Sequence, residues 1–359
     1  MLTELTVRNF RCFEQARIEV HPQSTLLIGR NAQGKTSLIE AACVLLRLQS
    51  PRTSTRGDFI RFGEKTCIVE GGVGDHRLRF AANHTTRRLA VDDAVCGHSA
   101  DYLSHSGLVV WMDHSDMNLL RGGAEHRRRY LDFAASQICP DYLKALRGYE
   151  RALRSRNYLL KKDAVVNWKQ ADAYARVMDD LARTIAERRS ELVSALQSGV
   201  STIHHTLSGG EEAKVEYVPG VDERGLFETL AALRADEERS RTTAAGVHRD
   251  DVLLRLADRD ASSFASEGQQ RTLALSLKLA QARVIEQVRG CAPLLLIDDI
   301  FGELDKARRR AVLASLPHES QRIITTTHLD WAGEGDVRGL VYEVCEGAVR
   351  TGGSSFAAR

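Results

Sequence analysis

Apolar and polar residues alternate at the start of the chain, at Leu2, Leu5 and Val7 and again at Ile18 and Val20, and a denser run, Thr25-Leu26-Leu27-Ile28, leads directly into glycine. Period-two patterning predicts strands, the last of them ending in a turn. From Thr36 the segment TSLIEAACVLLRL holds good helix formers without Gly or Pro. It stops near Ser50-Pro51, where proline disfavours helix in its predecessor.

Between 66 and 112 four short β-type runs, Cys67 to Val69, Leu78 to Phe80, Leu89 to Val91 and Leu108 to Trp111, are separated by Gly, Asn and Asp clusters. This predicts an antiparallel β layer. From about Arg127 to Gly209 glycine becomes rare, charges become frequent, and Val177, Leu181, Ile185, Leu192 and Leu196 fall at helical spacing, as in a separate helical lobe. After Val215 strands and helices alternate again, with apolar runs at Ala292 to Ile297 and Ile323 to Thr326, a helix from about Asp305 and a last strand near Leu340. The expected architecture is one α/β head domain, residues 1–125 and 210–359 with its β subdomain near 66–112, around a helical arm at 126–209.

Composition narrows the classes. The 359 residues, 43% hydrophobic and 27% charged, suffice for two or three lobes with ample core, which excludes a disulfide-stapled or a disordered chain. No apolar run approaches the roughly 18 to 20 residues of a bilayer-spanning helix, and the start MLTELTVRNF lacks a basic region followed by an apolar one. A cytoplasmic protein without a membrane partner is expected. Seven scattered cysteines without a Cys-x-x-Cys pair read as buried reduced thiols. The net charge of +2 means that a nucleic-acid surface must come from local clustering.

The chemistry begins at Gly29-Arg30-Asn31-Ala32-Gln33-Gly34-Lys35-Thr36, followed by Ser37. This is the phosphate-loop pattern of Gly, four residues, then Gly-Lys-Ser/Thr. Because the loop follows an apolar strand and opens a helix, its N–H groups and the positive helix end converge on one point. Lys35 would reach the β and γ phosphates, and Thr36 would offer its hydroxyl to Mg2+. A second feature is Leu294-Leu295-Leu296-Ile297-Asp298-Asp299, an apolar strand ending in two acids. Beside a phosphate loop, Asp298 is expected to hold the metal and Asp299 to act as base toward water; taken alone, the same acids would suit a solvated turn. The third is Ser266-Glu267-Gly268-Gln269-Gln270-Arg271 ahead of a long helical run, which is either a helix N-cap or a nucleotide-contacting element. Gly302-Glu303-Leu304-Asp305 and Thr327-His328 follow the acidic strand in order.

This ordered set resembles the ATP-binding-cassette class of phosphate-loop ATPases. Within it, VRNFRCF, GRNAQGKTSLIEA, SEGQQRTLALSLKLA, LLLIDDIFGELD and GVHRDD at 246–251 look like the RecF family of bacterial DNA-repair and recombination ATPases, over essentially the whole chain. The resemblance implies a head like those of SMC-type ATPases with a modest helical arm, binding ATP and Mg2+. It implies an ATP-dependent homodimer in which Ser266, Gly268 and Gln269 touch the γ-phosphate held by the partner's Lys35. Asp305 would then stand at the dimer seam, and His328 would contact the γ-phosphate or the water. It further implies that the closed dimer clamps double-stranded DNA beside a single-stranded gap in recombinational repair and replication restart, with slow DNA-stimulated hydrolysis and with RecR and RecO as partners in loading recombinase. The chain departs from the family wording at Val247, where proline is usual, and in Trp111 to Asp116, which lacks the proline expected before its acid. Asp299 is one methylene shorter than the Glu of most cassette ATPases, which suits slow turnover.

Basic residues cluster at the start of the arm. Arg127, Arg128 and Arg129 are consecutive, and Lys144, Arg147, Arg151 and Arg154 are spaced to share one helix face. Such a stripe either neutralises DNA phosphates without reading bases or is a solvated face. Two other classes carry phosphate loops. A small-molecule phosphotransferase would not need SEGQQR before the acidic strand, and a transporter-type ATPase subunit would not need the arm and its stripe.

Overall fold

The computed structural model describes residues 1–317, 319–328 and 338–352, so the end of the expected head segment, 353–359, lies outside the described residues. The chain opens with strands β1 (Leu2–Phe10), β2 (Phe13–Glu19) and β3 (Ser24–Ile28), helix α1 (Lys35–Arg47), strands β4 (Thr66–Val73), β5 (His76–Asn83), β6 (Arg87–Val91) and β7 (Ala94–Val95), a short α2 (Ser99–Ser104) and β8 (Val109–Met112). Helices follow: α3 (Asn118–Arg121), α4 (Ala124–Ile138), α5 (Pro140–Lys162) and α6 (Trp168–Ser208). Then come β9 (Ala213–Val218), α7 (Leu226–Ala232), α8 (Arg234–Ser240), β10 (Asp251–Leu256), β11 (Arg259–Asp260), α9 (Ala261–Phe264) and α10 (Glu267–Arg289). The chain returns through β12 (Leu294–Asp298), α11 (Lys306–Ser315), β13 (Arg322–Thr326), β14 (Gly339–Cys345) and β15 (Ala348–Thr351). Two compact units result, one of Met1–His114 with Arg289–Arg359 and one of Ser115–Val288.

The first unit holds two six-stranded sheets. One is antiparallel, in the order β2-β1-β4-β5-β6-β7; the other runs β15-β14-β3-β13-β12-β8, parallel except for the closing β14–β15 hairpin. Helix α1 packs on strands of both sheets, which explains why its residues from Ser37 to Arg47 are all buried and why its sequence is apolar nearly all round. Strand β8 corrects the sequence reading: Leu108 to Trp111 was expected in the antiparallel layer, yet β8 runs parallel to β12 at the edge of the other sheet. Its four residues are all buried, and an unbroken apolar run belongs to a strand covered on both faces, whereas β1 and β2 alternate because one face meets solvent.

In the second unit α5 and α6 pair along their lengths, and the three-stranded sheet β11-β10-β9 packs on α6. That packing draws residues 210–288 into the same unit as the arm, so the division falls at Ser115 and Val288 and not at 126 and 209. Buried polar links reinforce it. Arg189 of α6, 2% exposed, donates to Asp132, Asp250, the Tyr142 hydroxyl and the Val247 carbonyl, and Arg156 of α5 forms a two-pronged pair with Glu237 at 2.8 and 2.6 Å. The buried stripe of α6 is Ala175, Met178, Ala182, Ile185, Arg189, Leu192 and Leu196. Val177, read from spacing as part of the core face, is exposed.

All seven cysteines are free thiols, as expected from their scatter, but Cys12, Cys291 and Cys345 are exposed and only Cys43 and Cys67 are fully buried. Among the described residues no helix is long and apolar enough to cross a membrane.

Candidate functional site: a phosphate loop facing an acidic strand end

The loop between β3 and α1 is held from three sides. Gly29 N–H donates to the Thr326 carbonyl at the end of β13 (3.3 Å), and a Cβ at Gly29 would stand 2.2 Å from the Val344 carbonyl oxygen of β14, so only glycine lets those two backbones approach. The β14–β15 turn grips Gln33, whose side-chain oxygen accepts from Glu346 N–H at 2.7 Å. Gly34 caps α1 with φ 112°, a left-handed conformation that glycine adopts without penalty, and Ala32 is left-handed too, with φ 63°. Alternation of left- and right-handed residues turns successive N–H groups toward one side, the geometry of an anion cradle. Arg30, Asn31 and Ala32 at the crest are exposed, and Ser37 is buried behind them beside the Cys12 thiol.

Lys35 is nearly buried and turns its ammonium back on the loop, donating to the carbonyls of Gly29 (2.7 Å) and Arg30 (2.9 Å). Burial lowers its pKa, while Asp299 and Asp298 act in the opposite direction. Thr36 donates its hydroxyl to the Asp298 carboxylate, with oxygens at 2.8 and 2.9 Å, and Thr325 of β13 donates to the same group at 2.6 Å. Burial pushes the Asp298 carboxyl above the ordinary carboxylate range; the two threonines pull it down, and Asp113 and Asp299 add repulsion. Asp299 takes a left-handed φ of 53°, a conformation that Asp tolerates better than most residues, and its N–H is anchored on the Thr325 hydroxyl at 3.0 Å.

Thus the fold brings Lys35, Thr36, Asp298 and Asp299 together although more than half the chain separates loop from acids. Parallel strands β3, β13 and β12 end side by side, and their C-terminal edge is where ligands bind in open α/β sheets. A divalent cation fits the donor set: a hydroxyl and a carboxylate already within 2.9 Å of one another, beside a loop lined with N–H groups.

His328 is exposed, with Nδ1 2.8 Å from the Thr327 hydroxyl. Asp305 caps α11, accepting from Arg308 N–H at 2.8 Å. In the second unit, Ser266 and Gln269 cap α10 reciprocally: Ser266 N–H donates to the Gln269 side chain (2.8 Å) and Gln269 N–H to the Ser266 hydroxyl (3.3 Å). Gly268 sits within the first turn of α10, and its carbonyl accepts from Thr272 (2.9 Å). The capping role is therefore present, and Ser266 remains exposed at the helix start.

The basic clusters separate. Arg127 is committed to Asp251 (2.6 and 2.9 Å) and to the Gly122 carbonyl, and Arg128 donates to the Asp250 backbone carbonyl (2.8 Å); both are corrected from DNA candidates to internal ties, because the Asp251 carboxylate and the Asp250 backbone, distant in sequence, reach them in the fold. Arg129 is exposed and pairs with Glu125 one turn earlier. Lys144, Arg147, Arg151 and Arg154 are all exposed along α5, and among the described residues none of the four forms an ion pair.

Four contributors escape sequence reasoning. Thr325 and the Gln33 clamp depend on strand neighbours far along the chain. Asp113 did carry a signal, since it ends the apolar run of β8 as Asp298 ends β12; with Met112 opposite Ile297, the register puts the two acids next to one another. The buried Glu40 of α1, held by Arg11 (2.6 Å), Arg52 (3.1 Å) and Ser50, is likewise invisible from spacing.

A family model described as an AAA domain matches residues 4–105. The DNA replication and repair protein RecF of Halalkalibacterium halodurans is 30% identical over 98% of this chain and 100% of its own length. RecF of Geobacillus thermodenitrificans is 32% identical over 97% of this chain and 98% of its own. Among solved structures, the recombination mediator protein RecF-ATP of the RecFOR pathway matches with TM-score 0.87 and 27% identity, covering 98% of this chain and 97% of that one. The Smc head domain of Pyrococcus furiosus bound to the C-terminal domain of ScpA, 15% identical with TM-score 0.56 over 98% of this chain and 95% of that one, shares the fold. The α/β ATPase-head class expected from the motifs, with its antiparallel layer and mostly helical second lobe, is the one observed.

Proposed function

The chain belongs to the RecF family of DNA replication and repair proteins, and from that premise we propose that it is an ATP-driven clamp, in which two heads close on nucleotide and hold DNA near single-strand gaps. The observation that carries the reading is the Lys35, Thr36 and Asp298 constellation under a preformed anion cradle.

Bound Mg2+ would be held by the Thr36 hydroxyl and the Asp298 carboxylate, where it screens phosphate charge. Lys35, now satisfied by loop carbonyls, would turn outward to the β and γ phosphates; its exchange of two carbonyl partners for anionic oxygens strengthens its hydrogen bonds. Asp299, with its N–H pinned on Thr325, would accept a proton from the attacking water, and His328 would stand by the γ-phosphate. Asp299 reaches less far than a glutamate would, which supports slow turnover. Ser266, Gly268 and Gln269 would contact the nucleotide of the partner copy, with Asp305 at the seam. The exposed stripe Lys144, Arg147, Arg151 and Arg154 would neutralise phosphates of duplex or gapped DNA. By the pathway of its structural relative, RecR and RecO are the proteins it would work with, and DNA would stimulate hydrolysis.

The test is particle mass in solution with Mg2+ and ATP, for the parent and Ser266→Arg, with and without gapped duplex. Supporting outcome: the parent doubles in mass and captures DNA while the variant stays single. If mass and DNA affinity ignore ATP in both, the hexamer is only a helix cap and the clamp reading falls.

A further inference from the structure

The exposed ridge of α5 does not end with its cations. At the spacing that joins Lys144, Arg147, Arg151 and Arg154, the next residue outward is Tyr158, and Lys161 and Lys162 follow one turn later, all exposed. The ridge lies opposite the buried line Tyr142, Ala145, Tyr149, Ala152, Arg156 and Leu160. Tyr158 is 63% exposed, and among the described residues its hydroxyl makes no hydrogen bond. A lone exposed aromatic needs no explanation; this one stands between Arg154 and the Lys161-Lys162 pair, in a stretch of α5 from Tyr142 onward whose only acid is Glu150. At a rise of about 1.5 Å per residue, the cations from Lys144 to Arg154 span about 15 Å, with the ring about 6 Å beyond them.

Resting on the reading of this stripe as a DNA surface, we propose that Tyr158 is a stacking site for an unpaired base of DNA whose phosphates run along Lys144 to Arg154. Cations that touch only phosphates bind duplex and single strand by the same chemistry. A flat ring needs a base whose face is free, and inside a duplex both faces are covered by neighbouring pairs. Arg154 on one side and Lys161 and Lys162 on the other are placed for the phosphates that flank the stacked nucleotide. Tyr158 thereby adds what the stripe lacks, a preference for a strand with an open base.

The full chain with Mg2+ and ATP is titrated against a single strand, a gapped duplex carrying 2-aminopurine in the gap, and a blunt duplex of equal length. Tyr158→Ala should weaken binding to the single strand and the gapped duplex about 5- to 150-fold, the equivalent of about 1–3 kcal/mol for one stacked base. Blunt-duplex affinity should move by less than about two-fold, and the salt slope should stay unchanged because no phosphate contact is lost. Tyr158→Phe should restore both affinity and the quenching of 2-aminopurine. If Tyr158→Ala leaves all three DNAs unaffected while Arg147→Glu with Arg151→Glu weakens all of them, the stacking site is refuted and the DNA surface stands. If that charge reversal changes nothing either, both readings fall.

Discussion

Replacing Asp298 by asparagine removes one charge from a place where two threonine hydroxyls, at 2.6 to 2.9 Å, point at a half-buried carboxylate. In the nucleotide-free protein the effects oppose. One charge-assisted hydrogen bond is weakened, at about 1.5–3 kcal/mol. Against that, the variant no longer keeps a half-buried anion next to Asp113 and Asp299, the partial burial and repulsion that raise the carboxyl's pKa. The sign follows: an acid with a raised folded pKa binds its proton more tightly in the folded state, so its contribution to stability falls as pH rises from the unfolded value through the folded one. The two effects act in opposite directions, so nucleotide-free Asp298→Asn should melt within about 2–4 °C of the parent, near 1 kcal/mol for a unit of this length. Ligand binding is a different matter. At a nucleotide concentration a hundredfold above Kd, the parent should gain about 2.7 kcal/mol, or roughly 5–11 °C in Tm, whereas the variant should lose the part that depends on Mg2+ and keep the part given by ATP in chelator. Differential scanning fluorimetry with ATP plus Mg2+, ATP plus EDTA and neither measures all three quantities. A variant that keeps the full Mg2+-dependent shift, or that loses more than about 3 kcal/mol without nucleotide, would refute the placement of the metal at Asp298 or the balance of terms.

Three further outcomes are expected. Gly29→Ala places a methyl 2.2 Å from the Val344 carbonyl oxygen, a backbone atom that cannot swing aside, so urea unfolding should show a loss of about 1–3 kcal/mol together with weaker ATP binding; a fully stable, ATP-competent variant would show that β14 yields easily. Arg189→Met leaves Asp250, itself 1% exposed, without its buried cation, and should cost about 3–5 kcal/mol in the transition of the second unit, read by denaturant melts; a loss below about 1 kcal/mol would mean that Tyr217 and the Gly220 N–H suffice to hold that carboxylate. His248, whose Nδ1 is 2.7 Å from the Tyr149 hydroxyl and whose Nε2 is 3.2 Å from the Thr243 carbonyl, has its pKa lowered by burial to about 4. The unfolded chain therefore binds the extra proton first, and stability should fall by about 2 kcal/mol as pH drops from 6.5 to 4; His248→Gln should flatten that slope in melts at stepped pH, and an unchanged slope would assign it to other groups.

Local chemistry was legible wherever a short stretch of chain makes its own geometry. Strand, Gly-bounded loop and helix from Thr25 to Arg47 form a contiguous unit, and the residues that curl the loop, Gly29 and Gly34, are those that no other side chain could replace there. The apolar run into Asp298 and the cap at Ser266 belong to the same kind of signal. Periodicity also showed the helical arm, though it selected Val177 where the buried stripe runs through Met178, because one step on a helix turns a side chain by about 100° and a few apolar positions leave that phase loosely set. What tertiary structure alone decided is pairing across distance. Strand β8 joined β12 and not its sequence neighbours, Asp113 thereby came beside Asp298, Thr325 reached under both acids, and Asp251 and Asp250 claimed Arg127 and Arg128. A residue's type and its neighbours along the chain settle what it can bond to, but which partner it meets depends on strand register and helix packing, and these are set by burial summed over the whole unit.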